Sequence, residues 1–135
     1  MDARQSLEEL KRISTQVQEA VIFGADRSVE GSTIDDAGRA ARFAEAAARL
    51  LESADKVRPD WEKPLVQLEA SLDVGSVAIV RERDRAIAAT THPEPTIGLV
   101  FYDLRTCLRE LAVEQPAPKR RAKRAAQEEA GAAEA

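Results

Sequence analysis

Apolar residues recur along the chain with two different periods, and the changes of period mark out its elements. Between Ala3 and about Gln16, Leu7, Leu10 and Ile13, with Val17 just beyond, stand three or four positions apart among charged residues. That spacing puts them on one face of a first helix. The compact apolar run Ala20-Val21-Ile22-Phe23-Gly24-Ala25 is followed by Asp26-Arg27-Ser28 and a second run from Val29 to Ile34. The pattern predicts two short strands around a turn, although the turn lacks the Asn-Gly or Asp-Gly pair that favours a tight hairpin. Asp35 or Asp36 is then placed to cap a long second helix reaching about Lys56 and dense in alanine, the best helix former.

Two stripes run along that helix. Ala37, Ala40/Ala41, Ala44, Ala47/Ala48, Leu51 and Ala54 make one, and Phe43, Leu50 and Val57, seven residues apart, make the other. Together they are wider than a helix lying on one sheet requires. The alanines allow close backbone approach, and the bulkier stripe needs a second surface to cover it, either more of the same chain or another subunit.

After the loop Arg58-Pro59-Asp60-Trp61-Glu62-Lys63-Pro64, Val66, Leu68, Ala70 and Leu72 alternate with Gln67, Glu69, Ser71 and Asp73. This is a strand with one buried and one wet face. Gly75 interrupts it, Val77 to Val80 and Ala86 to Thr90 give two more strands, and Arg81-Glu82-Arg83-Asp84-Arg85 connects them. His92-Pro93-Glu94-Pro95 ends this meander. Thr96 is a candidate N-cap, and Ile97, Val100/Phe101, Leu104, Cys107/Leu108 and Leu111 form the apolar face of a third helix that should stop before Pro116. The order α-β-β-α-β-β-β-α predicts an α+β domain, a five-stranded antiparallel sheet with helices packed on its faces.

Length and composition narrow the function classes. The 135 residues suit one domain, expected over 1–114, while 115–135 hold no large apolar or aromatic residue and are expected to be disordered alone. That tail has five bases (Lys119, Arg120, Arg121, Lys123, Arg124) against three acids, so of the net charge of −4 the first 114 residues carry −6. A body that acidic repels nucleic acid, and the basic cluster has no interleaved aromatics to stack bases, so specific nucleic-acid readout is not expected. One cysteine and one histidine, Cys107 and His92, leave no intrachain disulfide and no Cys/His metal cluster. A reducing, cytoplasmic setting fits, and no apolar run approaches the roughly 20 residues that span a bilayer.

Candidate chemistry is sparse. His92 stands alone beside a proline, Cys107 falls on an apolar helix face where a thiol behaves as a small hydrophobe, and Glu8-Glu9, Asp35-Asp36 and Glu128-Glu129 are adjacent acids that point apart on a helix. With no phosphate-binding glycine loop or nucleophile set, no catalytic residue and no cofactor is assigned.

The element order, together with Ala88-Ala89-Thr90-Thr91-His92-Pro93-Glu94-Pro95-Thr96-Ile97-Gly98-Leu99-Val100-Phe101-Tyr102, resembles the roadblock/dynein-light-chain family. In bacterial members a small-residue strand and a Pro-containing loop lead into Ile-Gly-x-Val-x-Tyr at the start of the last helix. The resemblance covers about residues 5 to 113. It implies a profilin-like layering, a close approach of the helix backbone to the sheet at Gly98, and a dimer, with itself or a related roadblock protein, in which second helices pack together and sheets join at their edges. It also implies service to small Ras-like GTPases. On that basis Phe43, Ala47 and Leu50 are the expected dimer contacts, and Arg39, Arg42, Glu45, Arg49 and Glu52 the expected partner-facing residues. Glu45/Arg49 and Glu52/Lys56 are favourable i,i+4 pairs on that face. The competing expectation is a protein whose basic tail binds nucleic acid or an anionic membrane surface.

Overall fold

The computed structural model describes residues 1–57 and 65–114, with side chains as far as residue 111; the loop 58–64 and the tail 115–135 lie outside the described residues. Its elements are α1 (Ala3–Ile13), β1 (Val17–Gly24), β2 (Val29–Ser32), α2 (Ala37–Val57), β3 (Gln67–Leu72), β4 (Gly75–Glu82), β5 (Arg85–Thr91) and α3 (Ile97–Glu114). They follow the expected order. The five strands form one antiparallel sheet in the order β2-β1-β5-β4-β3.

Local chemistry sets most of the boundaries. Asp2 caps α1 through a reciprocal pair with Gln5, satisfying two otherwise free backbone donors. The helix ends three residues sooner than the periodicity suggests. Ser14 takes an extended conformation and its Oγ accepts from the backbone of Gln16 and Val17, so Val17 opens β1 rather than extending the helical face, and Ile13 is left 47% exposed. Asp36 caps α2, its carboxylate accepting from Gly38 N at 2.9 Å and Arg39 N at 3.2 Å. At α3 the Thr96 carbonyl accepts the first helical bonds, from Leu99 and Val100.

The β1–β2 hairpin is closed by Gly24, which bonds to Arg27 and Ser28 through its backbone, but has no glycine at its left-handed position. Arg27 takes the left-handed conformation at φ 69°, and the Asp26 carboxylate fixes the turn by accepting from Ser28 N and Oγ, as short Asp side chains do in turns.

The sheet divides the core. On one face, α1 and α3 cover Val17, Ala20, Ile22, Ala78, Val80, Ile87 and Ala89. On the other, α2 covers Val21, Phe23, Ile79, Ala86 and Ala88 with Ala44, Ala47 and Leu51. Five strands at about 4.8 Å span roughly 24 Å, and a helix is about 10 Å wide. Two helices therefore suffice for their face, and one does not. α2 lies over β1, β2 and β5, leaving the β3 side of its face incompletely covered: Leu68 and Val77 are half-buried, Leu72 is 60% exposed, and Val66 just before β3 is exposed as well. The buried face expected for that strand is thus only half realised within one chain.

Two glycines answer to close approach. A Cβ on Gly31 would lie 2.7 Å from the Ala3 Cβ where α1 crosses β2, and Gly75, at φ +142°, faces the Thr91 carbonyl with no room for a side chain. Gly98 does not behave as the resemblance implied. It is exposed, and nothing lies within 4 Å of where its Cβ would stand, because that position of α3 faces solvent rather than the sheet.

Candidate partner-binding surface

α2 presents three sides. Ala40, Ala44, Ala47 and Leu51 recur at three- and four-residue steps and are buried against the sheet. Ala47, expected as a dimer contact, therefore belongs to the chain's own core: it keeps 1% of its surface and packs within the cluster of Val21, Phe23 and Ile79. Phe43 is half-buried and leans on the same cluster, whereas Leu50 is 40% exposed. The outer side carries Arg42, Glu45, Ala46, Arg49 and Ser53, which with Leu50 line a shallow open groove of about 700 Å³.

The charged residues of this helix are held in place unequally. Arg39 makes two bonds to Glu19 of β1, Nη1 to Oε1 at 2.9 Å and Nη2 to Oε2 at 2.6 Å, so it braces the helix against the sheet rather than standing free on the outer side. Glu19 is held below the usual carboxylate range by those bonds, against the opposing effect of burial.

Glu45 and Glu52 are both gripped by Arg27, whose two Nη atoms reach one carboxylate each at 2.5 Å. Burial works to raise the Glu45 carboxyl, but Arg27 and Arg49 outweigh it and the group stays below its ordinary value. The expected helix pairs are present, Glu45–Arg49 at 3.1 Å and Glu52–Lys56 at 3.8 Å. Arg42 differs, for among the described residues no carboxylate pairs with it. It is the cation of the outer face most available to an incoming acidic group.

Two arginines outside α2 organise this surface, and neither role was legible in the sequence. Arg27 sits in a hairpin turn, where its role could be guessed only by knowing which way the turn points. Arg81 of β4 makes a bidentate pair with Asp55, both bonds 3.0 Å, and also donates to the Leu65 carbonyl, tying the end of α2 to the far half of the sheet. The remaining candidates stay apart from this surface. His92 is exposed, with its Nδ1 3.1 Å from Gln18 Nε2. Cys107 is buried between α1 and α3, its Sγ 3.0 Å from Ser6 Oγ; burial first, and Glu110 in addition, push its thiol up to about 11 against the opposing Ser6 bond. No helix among the described residues is long and apolar enough to cross a membrane.

No protein-family model matches the sequence, and no curated protein is significantly similar to it. Solved structures are another matter. A roadblock/LC7 domain from Streptomyces avermitilis superposes with a TM-score of 0.77 at 15% identity, covering 87% of this chain and all of that one. The chain has the roadblock fold. Myxococcus xanthus MglB matches at TM-score 0.59 and 11% identity, over 85% of this chain and 93% of its own. A profilin in the LokiProfilin2/rabbit actin complex matches at 0.55 and 12%, over 79% and 92%, so the profilin-like layering is present too. Among the described residues α2 is the one helix on its face of this roadblock fold, and its outer side is turned away from the sheet.

Proposed function

We propose that the protein is a cytoplasmic, non-catalytic adaptor that dimerises over the α2 face and offers the outer side of α2 to a small Ras-like GTPase. The observation that carries this reading is the mismatch between one helix and a five-stranded sheet: Leu50, Leu72 and Val66 are exposed and Phe43, Leu68 and Val77 half-buried around one core cluster. A rim of that kind calls for a second apolar surface, and a second copy or a related roadblock chain supplies one of the same shape. Support for the GTPase comes from the roadblock likeness, and Arg42 and Arg49 give its acidic groups something to meet.

A donated catalytic arginine is not part of the reading. An arginine finger accelerates GTP hydrolysis by about 10³-fold to 10⁵-fold, and it does so from a loop over the phosphates. Arg39 is tied to Glu19, Arg49 to Glu45, and Arg42 stands on a stiff helix. The adaptor acts by favouring one arrangement of the partner's own switch segments, within the limit set by its differential affinity for the two states.

The dimer is tested with Leu50→Glu, chosen over Phe43→Glu because Leu50 takes less part in the chain's own core. Light scattering at tens of micromolar, roughly where specific interfaces are saturated, should give a dimer for the wild type and a folded monomer for the variant. A wild-type monomer there refutes it. With a Ras-like GTPase from the same genome, Arg42→Ala should weaken binding severalfold and change single-turnover hydrolysis at saturation by less than about tenfold. A loss of about 10³-fold with binding intact at Arg39, Arg42 or Arg49 would mean that the chain donates a catalytic group after all.

A further inference from the structure

The layer opposite α2 holds a second unfinished surface. α1 and α3 run antiparallel, anchored where Ser6 Oγ donates to the Cys107 carbonyl at 2.8 Å and where Gln16 Oε1 accepts from Thr96 N. Leu99, Asp103 and Cys107 stand four residues apart and form one stripe of α3, while Ser6 and Ile13, seven apart, form the stripe of α1 that meets it. The seam is closed at the Ser6–Cys107 end, where both residues are buried. At the other end Ile13 and Leu99 are 47% and 49% exposed, and Tyr102, one turn beyond Leu99, is 64% exposed.

Between the two ends lies Asp103, which keeps 9% of its surface. No hydrogen bond or ion pair among the described residues reaches its side chain. No fully buried side-chain oxygen lacks a partner, so the carboxylate oxygens of Asp103 keep some contact with solvent. Glu9 and Arg12 of α1 bind each other, and Glu110, two turns along the same side of α3, is another acid. Desolvation raises the Asp103 carboxyl above its ordinary range. A half-desolvated carboxylate with no partner is costly to keep, and a cation brought to it relieves that cost.

We propose that the α1/α3 seam is a docking site for a basic amphipathic segment of a partner protein, whose apolar side chains cover Ile13, Leu99 and Tyr102 and whose lysine or arginine meets Asp103. A second copy is disfavoured as occupant, because a two-fold contact of this patch with itself brings two Asp103 carboxylates together. An anionic membrane surface is disfavoured by the same charge. The site lies on the other side of the sheet from α2, so occupying it leaves the α2 surface open, and the inference stands whether or not α2 receives a GTPase.

The test uses the full chain and a random displayed library of 12-residue peptides, depleted on Leu99→Lys and then selected on the wild type. The enriched sequences should share one lysine or arginine three or four positions from apolar residues. A synthetic consensus peptide should bind Asp103→Asn and Ile13→Ser at least tenfold more weakly than the wild type, bind Leu50→Glu unchanged, and shift the amide resonances of Leu99, Tyr102 and Asp103. Circular dichroism and the unfolding midpoint of Asp103→Asn should show a fold no less stable than the wild type. Absence of enrichment, a consensus without a base, binding indifferent to Asp103→Asn, or a seam already filled by a second copy or by residues 115–135 would each overturn the proposal.

Discussion

The same substitution, glycine to alanine, should act in opposite directions at three positions of this chain. At Gly98, in the first turn of α3, an added methyl meets nothing within 4 Å. Alanine there gains helix propensity, worth at most about 1 kcal/mol in a helix interior and roughly half of that so near the end. At Gly31 the methyl would stand 2.7 Å from the Ala3 Cβ and 3.2 Å from Leu7 Cδ1. Two backbone-anchored methyl groups need close to 4 Å, so α1 must lift off β2 by about 1 Å, and overpacking of that kind costs about 1–3 kcal/mol. Less than 1 kcal/mol returns through the unfolded chain, leaving a net loss of about 1–2 kcal/mol. At Gly75 the methyl would lie 2.1 Å from the Thr91 carbonyl oxygen, with φ at +142°. Neither contact nor dihedral can relax without opening the β4–β5 pairing, and a loss above about 3 kcal/mol is expected. Urea unfolding followed by circular dichroism resolves all three, and about 1 kcal/mol moves the thermal midpoint of a domain this size by roughly 4 °C. The reasoning fails if Gly98→Ala destabilises the protein or if Gly31→Ala leaves it unchanged.

Two further outcomes concern titration and reactivity. Glu19 is held below its ordinary value of 4.5 by Arg39, so the unfolded chain binds more protons between the two values, and the stabilisation is complete above 4.5 and lost as the pH falls through the native value. The stability gap between wild type and Arg39→Ala should therefore narrow as the pH is taken from about 6 to about 3, and a gap independent of pH would show that the pair contributes nothing ionic. Cys107, buried and with its thiol raised to about 11, should react with a thiol reagent at pH 8 at least about 10²-fold more slowly than a free cysteine. Its rate should climb only when urea unfolds the chain; fast labelling of the native protein would place the thiol at the surface.

The sequence by itself determined the elements and their order. Period-two and period-3.6 patterns are properties of a few neighbouring residues, as are the Asp2 and Asp36 caps, the Thr96 start of α3 and the burial of Cys107 on an apolar helix face. The helix pairs Glu45–Arg49 and Glu52–Lys56 were legible for the same reason, since i,i+4 neighbours meet whatever the helix packs against. What only the tertiary structure decided was which side of each element finds a partner. Ala47 and Leu50 lie on neighbouring stripes of one helix, and it takes the position of α2 over β1, β2 and β5 to bury the first and leave the second exposed. Val17 shares the helical spacing of Leu10 and Ile13 yet belongs to a strand, because it pairs with Thr91 of β5 once Ser14 has turned the chain. Arg27 and Arg81 act across 18 to 26 residues of sequence, Gly98 faces solvent, and Ser6 of α1 meets Cys107 of α3 across 101 residues. Such relations depend on how two helices and one helix divide the faces of a five-stranded sheet. A chain's local pattern carries no record of that division.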